Sequence, residues 1–566
     1  MSVLDWLVLG FTLLLIVVYG IYKSRGNKNL DSYFLGGRSL PWYHVGLSVM
    51  ATQASAITFL SAPGQAYSDG MRFVQFYFGL PLAMIVLCIT FVPMFHRLKV
   101  YTAYEFLEQR FDLKTRILTA FLFLIQRGLS TGISIYAPAI ILSEILHIDP
   151  LYTTLFMGGL VILYTVYGGT KAVSYTQLLQ MSIIFSGLFL AAIVVVHLLP
   201  ANVGLGKTLH IAGSMDRMNV IDWKFDWDNK YNVWSGIIGG FFLQLSYFGT
   251  DQSQVGRYLT GSSVNQSRLG LIMNAIIKIP MQFAILLIGV LVFTFYQYNK
   301  PPIFFNTYEL NKIKKSAYKE EFQRLETKYD QAFSTKRNLV STFDKNINSK
   351  ELNSKVKQAD LEMKLVRDEA VELMKKNSSE ANTNDTNYIF LTFVTQYLPK
   401  GLVGLLIAII FLASMGSIAS AFNSLASTTS VDIYKRLINP NTNESAYLSF
   451  SRWSTIIWGL VSIIMALYAG KMGNLIEAVN ILGSLFYGTI LGIFIVAFYF
   501  RSINGNAVFI ATIVTEIIVC LAYYFEVMAY LWLNVLGCVL VILSSLIIEK
   551  MQPQPLALQT VQINKK

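Results

Sequence analysis

The segment spanning residues 45–67 is a membrane-length apolar stretch with polar residues in its middle, and this restricts the fold more than any other feature of the chain. In hydrocarbon, polar or irregular backbone survives only against protein or a water-filled cavity. Ala51-Thr52-Gln53-Ala54-Ser55-Ala56-Ile57-Thr58 puts hydroxyls and an amide where lipid-facing leucines would otherwise serve, and Pro63-Gly64 is expected to weaken the helix beyond. An interrupted transporter helix has this form.

The remainder of the chain supplies the membrane setting. Of 566 residues, 54% are hydrophobic and 14% charged, and the mean hydropathy is +0.50, too apolar for a soluble enzyme of this length. About thirteen stretches can cross a ~30 Å hydrocarbon core: 4–22, 45–67, 73–95, 117–146, 150–167, 175–198, 232–250, 268–297, 400–430, 450–470, 474–500, 507–525 and 529–548. The net charge of +12 does not point to nucleic acid, because Lys and Arg lie in short loops rather than on one face with stacking aromatics. With the N-terminus outside, Lys23, Arg25, Lys28, Arg38, Arg97, Lys99, Arg110, Arg257, Lys435 and Arg436 fall in the cytoplasm, and the C-terminus lies inside. The 4–22 stretch lacks a basic n-region and a cleavage site, so it is expected to be a retained helix. Cys88, Cys520 and Cys538 sit in apolar segments and offer no disulfide or metal framework. His44, His96, His147, His197 and His210 are scattered and form no HExxH, which argues against an enzyme.

One polar region, 300–387, interrupts this pattern on the side assigned to the outside. Around Tyr308–Phe333 and Lys350–Lys376, Leu352, Val356, Leu361, Leu365 and Val371 recur at helical spacing among Lys and Glu, so a two-helix extracellular hairpin is expected. It serves either an extracellular protein partner or no partner, as a solvated decoration. SSEANTNDTN, which follows, reads as a linker.

Five segments occur in order across residues 25–500: DSYFLGGRSLPW, YTAYEFLEQRFD, YGGTKAV, GTDQSQVGRYL and LPKGLVGLLIAIIFLASMGSIASAFNSLASTTSVDIYKR. On these segments the chain resembles the sodium:solute symporter family. SAITFLSAPGQAY and GSLFYGTILGIF are similar to its iodide, monocarboxylate and multivitamin branch rather than its hexose branch. The resemblance implies an all-α polytopic membrane protein of the leucine-transporter (LeuT-like) fold. Its two inverted five-helix repeats, about 45–198 and 232–500, would follow one extra leading helix. It divides the chain into a leading helix (1–30), a symporter core (31–500) holding the 300–387 insert, two peripheral helices (501–549) and a cytoplasmic tail (550–566). The implied function is sodium-coupled import of a small organic solute or anion across a cell membrane, plasma or inner. The alternative is a transporter-like sensor that binds solute without coupled uptake.

The resemblance also implies sites. In the family, sodium lies between the break of the first core helix and the eighth helix. The matching ligands are the carbonyls of Ala51, Ala54 and Ala413 and the Ser417 hydroxyl, with Gly416 where a further Ser or Thr is common. Such oxygens suit a hard cation. Gln177 stands where members that bind a second sodium carry Asp, so one sodium per cycle is expected. The ligand-holding positions of sugar carriers fall on Tyr77, Leu80, Thr58, Asp251, Lys278 and Val479, and only the lysine keeps its type. For a carboxylate, Gln53, Thr58, Tyr77 and Gln244 would hydrogen-bond while Phe76, Phe248 and Phe486 wall the pocket. Lys278, ~15 Å along its helix from Arg268, is expected to bind a substrate carboxylate, to pair with Asp251 or to form a structural pair near the cytoplasmic side. Arg127 and Glu144 read as structural charges.

Overall fold

The computed structural model describes residues 1–24, 35–201, 203–345, 349–379, 381–441 and 443–551. Arg25, Lys28, residues 31–34 of the first motif and most of the tail lie outside these. The first part contains α1 (Val3–Ser24), α2 (Trp42–Gln53), α3 (Ala56–Asp69), a 3-10 stretch (Gly70–Tyr77), α4 (Leu80–Ile89) and α5 (Phe91–Leu98), then α6 (Glu105–Arg110), α7 (Leu113–Leu146), α8 (Pro150–His197) and α9 (Leu205–Ser214). The second contains α10 (Gly240–Thr250), α11 (Gln252–Tyr258), α12 (Val264–Tyr298), α13 (Thr307–Ile313), α14 (Lys319–Lys345) and α15 (Lys350–Asn377). It continues through α16 (Thr386–Tyr397), α17 (Leu402–Thr428), α18 (Glu444–Ala469), α19 (Leu475–Tyr499), α20 (Gly505–Tyr524) and α21 (Tyr530–Met551). Among the described residues there is no strand, only an isolated bridge between Leu40 and Gly261.

The first core helix is interrupted where its polar run predicts. Ala54 and Ser55 leave helical geometry (ψ 82° and 175°), separating α2 from α3. Pro63-Gly64 does not end the helix, which continues to Asp69. Its role is close packing: a Cβ on Gly64 would stand 2.0 Å from Thr386 O, and one on Gly289 of α12 would stand 2.2 Å from Pro63 O. A second interruption, not expected from the sequence, falls at Asp251 (ψ 116°) in the first helix of the second expected repeat. The Asp251 carboxylate caps α11, accepting from Ser253 N and Oγ at 2.8 and 2.6 Å.

Ten helical runs of the described residues are long and apolar enough to cross a membrane. Residues 45–67 and 73–95 contribute one, Ala56–Leu98, because the break shortens α2; 150–166 is a shorter apolar helix; and 232–250, a wide-turn stretch at Ser235–Gly239 followed by α10, is not among the ten. The segments expected at 150–167 and 175–198 fall in one helical run, α8, whose apolar parts are 150–166 and 173–197. The first runs antiparallel to α18 (Gly158 beside Ile463, Ile162 beside Gly459) and the second antiparallel to α17 (Gly187 beside Ile409, Gln177 beside Gly416). Other helices enclose 89% of the apolar window of α17 but only 29% and 33% of those of α1 and α20, so α17 is central and the other two face lipid. The leading helix is tied in through Asp5, whose Oδ1 accepts from Gly401 N (2.6 Å) and Gly404 N (3.3 Å) at the start of α17.

In the insert, the long helices α14 and α15 pack face to face through Phe322, Tyr329 and Phe333 against Met363, Leu373 and Met374. The first begins at Lys319 rather than near Tyr308. Residues 307–313 form the separate helix α13, whose Thr307 and Tyr308 hydroxyls donate to Glu144 (2.6 Å) and Asp149 (2.8 Å). The pair is not free-standing: Val340, Phe343 and Val356 share a core with Val203, Ile211 and Phe293, and Lys357 pairs with Asp216 at 2.6 Å.

Candidate functional site

The break alters the backbone bonding around it. In an unbroken helix the Ser55 and Thr58 N–H groups would serve the carbonyls of Ala51 and Ala54. Instead Ser55 N–H donates to Gln53 O and Thr58 N–H to Ser55 O, both at 3.0 Å, which releases the Ala51 and Ala54 carbonyls. The central helix α17 packs against both α2 and α3. Ala51, Ala54 and Ala413 are buried there, and the Ser417 hydroxyl, which donates to Ser414 O at 3.0 Å, lines a cavity beside the break. One turn on, Thr52 Oγ1 donates to Ser420 Oγ at 3.3 Å, tying α2 to α17.

Next to this cluster is Gln177 of α8, fully buried. Its Oε1 accepts from Ser48 Oγ at 2.7 Å, and its Nε2 donates to Ser420 Oγ (3.2 Å), Thr52 Oγ1 (3.3 Å) and Gly416 O (3.4 Å). A Cβ at Gly416 would stand 2.7 Å from Gln180 Oε1 and 3.6 Å from Gln177 Cγ, so α8 passes close to α17 here.

The cavity, about 120 Å³, lies between the break, α7, α10, α17 and α19. Of the expected pocket residues, Gln53, Thr58, Phe76, Tyr77 and Gln244 line it. Phe248, Asp251, Lys278 and Phe486 do not. Phe248 is fully buried against Tyr247. On α19 the wall is made by Ile476, Val479, Asn480, Gly483 and Tyr487, residues three, four, seven and eleven places on from the first, a face that turns Phe486 aside and presents Tyr487. Lys278 stands behind Tyr77, its Nζ 5.5 Å from the ring centroid.

Asp251 is not paired with Lys278. Its Oδ2 accepts from Tyr487 OH at 2.8 Å and faces Arg127 Nη1 at 3.6 Å. Arg127 is 9% exposed, and it lines the cavity with Gln126. Its Nε and the amide oxygens of Gln53, Gln126 and Gln244 have no hydrogen-bond partner among the described residues. The local signal was Gln126-Arg127 followed by Ser130, Thr131 and Ser134 in an otherwise apolar helix.

Two interrupted helices around a polar cavity at a helix-bundle centre define a secondary transporter. The model of the sodium:solute symporter family matches residues 33–304 and 365–515, and the chain belongs to that family. It is therefore a multi-pass membrane symporter with Na⁺ as the coupling ion. It is 27% identical over 509 residues to sodium-coupled monocarboxylate transporter 1 of Xenopus laevis, covering 89% of this chain and 69% of that protein. It is 32% identical over 291 residues to the human sodium/iodide cotransporter, covering 50% and 45% of the two chains. It is also 24% identical over 539 residues to a sodium/sialic acid symporter of Proteus mirabilis, covering 94% and 92%. The structure of a Na⁺-coupled sialic acid symporter in a substrate-bound outward-open state shares the fold, with TM-score 0.75, 23% identity and 98% of each chain covered.

Proposed function

We propose that this symporter imports a small organic anion, one sodium per cycle, by alternating access about the central cavity. The reading is carried by Arg127: it lines the cavity with an Nε that has no hydrogen-bond partner among the described residues, beside three glutamine amides with unused oxygens. Arg presents its donors as a planar fork suited to a carboxylate. At ~10–15 Å³ for each water-sized group, about 120 Å³ takes a solute of roughly ten non-hydrogen atoms. Lys278, behind Tyr77, does not line the cavity and is given no contact with the anion.

Sodium is assigned to Ser417 Oγ and the carbonyls of Ala51, Ala54 and Ala413; Gly416 lends only backbone. Uptake of small monocarboxylates, measured against matched neutral amides in sodium-loaded and sodium-free proteoliposomes, tests the reading. Sodium-driven uptake confined to acids is expected, while binding without uptake would leave the sensor alternative. In the same assay Ser417→Ala should raise the sodium concentration for half-maximal rate about tenfold, the scale of one lost ligand interaction. An unchanged sodium response in a well-expressed variant rejects Ser417 as a ligand.

Stoichiometry follows from Gln177, whose amide N–H groups already occupy Thr52, Ser420 and Gly416 oxygens and bring no negative charge. The rate should depend on sodium with a Hill coefficient near one, and a charge-to-substrate ratio requiring two sodium ions would overturn the assignment. The proposed topology has thirteen crossings, two of them within 150–197, with the N-terminus outside and the C-terminus and basic loops inside. The insert is then extracellular and rests on the core as a cap.

A further inference from the structure

Below the Ser417 level, toward the end of α17 that leads on to Lys435 and Arg436, lies a second cavity of about 10 Å³ lined by α11 and α17. Its wall is almost wholly polar: Gln252, Ser253, Arg257, Ser420, Asn423, Ser424 and Ser427. The volume matches a single water or a bare cation. On α17 the hydroxyls of Ser417, Ser420, Ser424 and Ser427 recur at spacings of three, four and three, so they form one file down one face. A file of small residues alone is ordinary helix packing.

Asn423 makes it more than that. It is 4% exposed, and neither its Oδ1 nor its Nδ2 has a hydrogen-bond partner among the described residues. A buried amide left wholly unpaired costs a few kcal/mol, so this one is kept for an occupant. Ser420 belongs to both levels, touching Thr52 and Gln177 above and lining the cavity below. Arg257, 3% exposed and donating from Nη1 to Ser174 Oγ at 3.2 Å, contributes a fixed positive charge to the wall.

We propose that this cavity is a relay site through which the coupling sodium leaves for the cytoplasm, with Asn423 Oδ1 and the Ser420, Ser424 and Ser427 hydroxyls as passing ligands and Arg257 as the electrostatic door. The inference rests on sodium residing at Ser417. Hydroxyl and amide oxygens suit a hard monovalent cation. The guanidinium opposes its entry until α11, the inner half of the second broken helix, moves and carries Arg257 away. The arrangement makes the site a step rather than a store: oxygens enough to replace part of a hydration shell, and a like charge that forbids long residence.

The test uses the full chain in vesicles of known orientation, with Cys88, Cys520 and Cys538 replaced by serine or alanine and Ser424→Cys, a near-isosteric change, as reporter. A small cationic methanethiosulfonate applied to the cytoplasmic face should modify this cysteine in sodium-free buffer and react about tenfold more slowly in saturating sodium. Adding Arg257→Gln should raise the rate about tenfold, as expected when a like charge a few ångströms from a cation's path is removed. Asn423→Leu should fill the relay and suppress the reaction, whereas Asn423→Ser should preserve it. No modification in either the parent or the Arg257→Gln background means a sealed cavity holding structural water, and the relay falls. Equal rates for Asn423→Leu and its parent also overturn it. Loss of sodium protection in Ser417→Ala with the reaction intact supports both assignments. Protection that survives Ser417→Ala rejects the central sodium position, and with it the route from Ser417, even where the cavity itself binds sodium, so the two failures are distinguishable.

Discussion

Arg127→Gln is expected to abolish sodium-driven uptake of an organic anion, the largest loss from any single change at the cavity. Two effects combine. The substitution removes the guanidinium facing the solute, and it strands the buried Asp251 carboxylate whose Oδ2 lies 3.6 Å from Arg127 Nη1. Breaking a buried pair from one side costs about 3–5 kcal/mol, which is a hundredfold or more in an equilibrium. The double change Arg127→Gln with Asp251→Asn separates them: it relieves the stranded charge, keeps the Tyr487 contact and should restore folded protein. Anion affinity should stay lost, because nothing in the cavity replaces the cation. Arg127→Lys should recover part of it, since an ammonium keeps the charge without the fork. Wild-type KM for the acid in the double variant would remove Arg127 from the binding site.

The sequence revealed the transporter architecture through one break and hid the other for a physical reason. At Ala54–Ser55 a polar run sits inside an apolar one, so the cost of burying it in lipid is visible in linear order. At Asp251 the apolar run of α10 simply ends at an acid, and Gly249-Thr250-Asp251 followed by Ser253 reads as a helix end plus loop. That the chain immediately restarts as α11, capped by that same carboxylate, depends on Tyr487 and Arg127 from distant segments. Cavity residues on the first broken helix were legible for the same reason as the break itself. An apolar helix carries no mark of which face it turns inward, so the sequence points to Phe486 where the structure presents Tyr487. Arg127 passed for a structural charge, since whether a buried guanidinium meets only its partner or also a cavity is decided by α10 and α19, far along the chain.

Asp432→Ala should be the most damaging change outside the cavity. Two of the family segments, YTAYEFLEQRFD and the VDIYKR end of the long run, are joined by one ionic cluster. Asp432, fully buried where α17 runs on into a wider turn, accepts from Thr102 Oγ1 (2.8 Å) and meets Arg116 Nη2 at 2.6 Å. Glu108 then takes Arg116 Nη1 at 2.7 Å and Arg436 Nε at 2.7 Å. Burial raises the Glu108 pKa, but bonds from Arg436 and Arg116 outweigh it and hold the carboxyl below the usual range, so Glu108 keeps its charge at any physiological pH. The Glu108 contribution is present above its unfolded pKa and is lost only as pH falls through the lower folded value. Removing Asp432 leaves Arg116, 7% exposed, with Glu108 and the Val431 carbonyl, an expected cost of about 3–5 kcal/mol. The prediction is a lowered denaturation midpoint and a smaller monodisperse fraction in detergent. Arg116→Met with Asp432→Leu should recover much of both, because an apolar pair carries no stranded charge. If Asp432→Ala matches wild type in midpoint, the cluster is not what holds α6 and α7 to the end of α17.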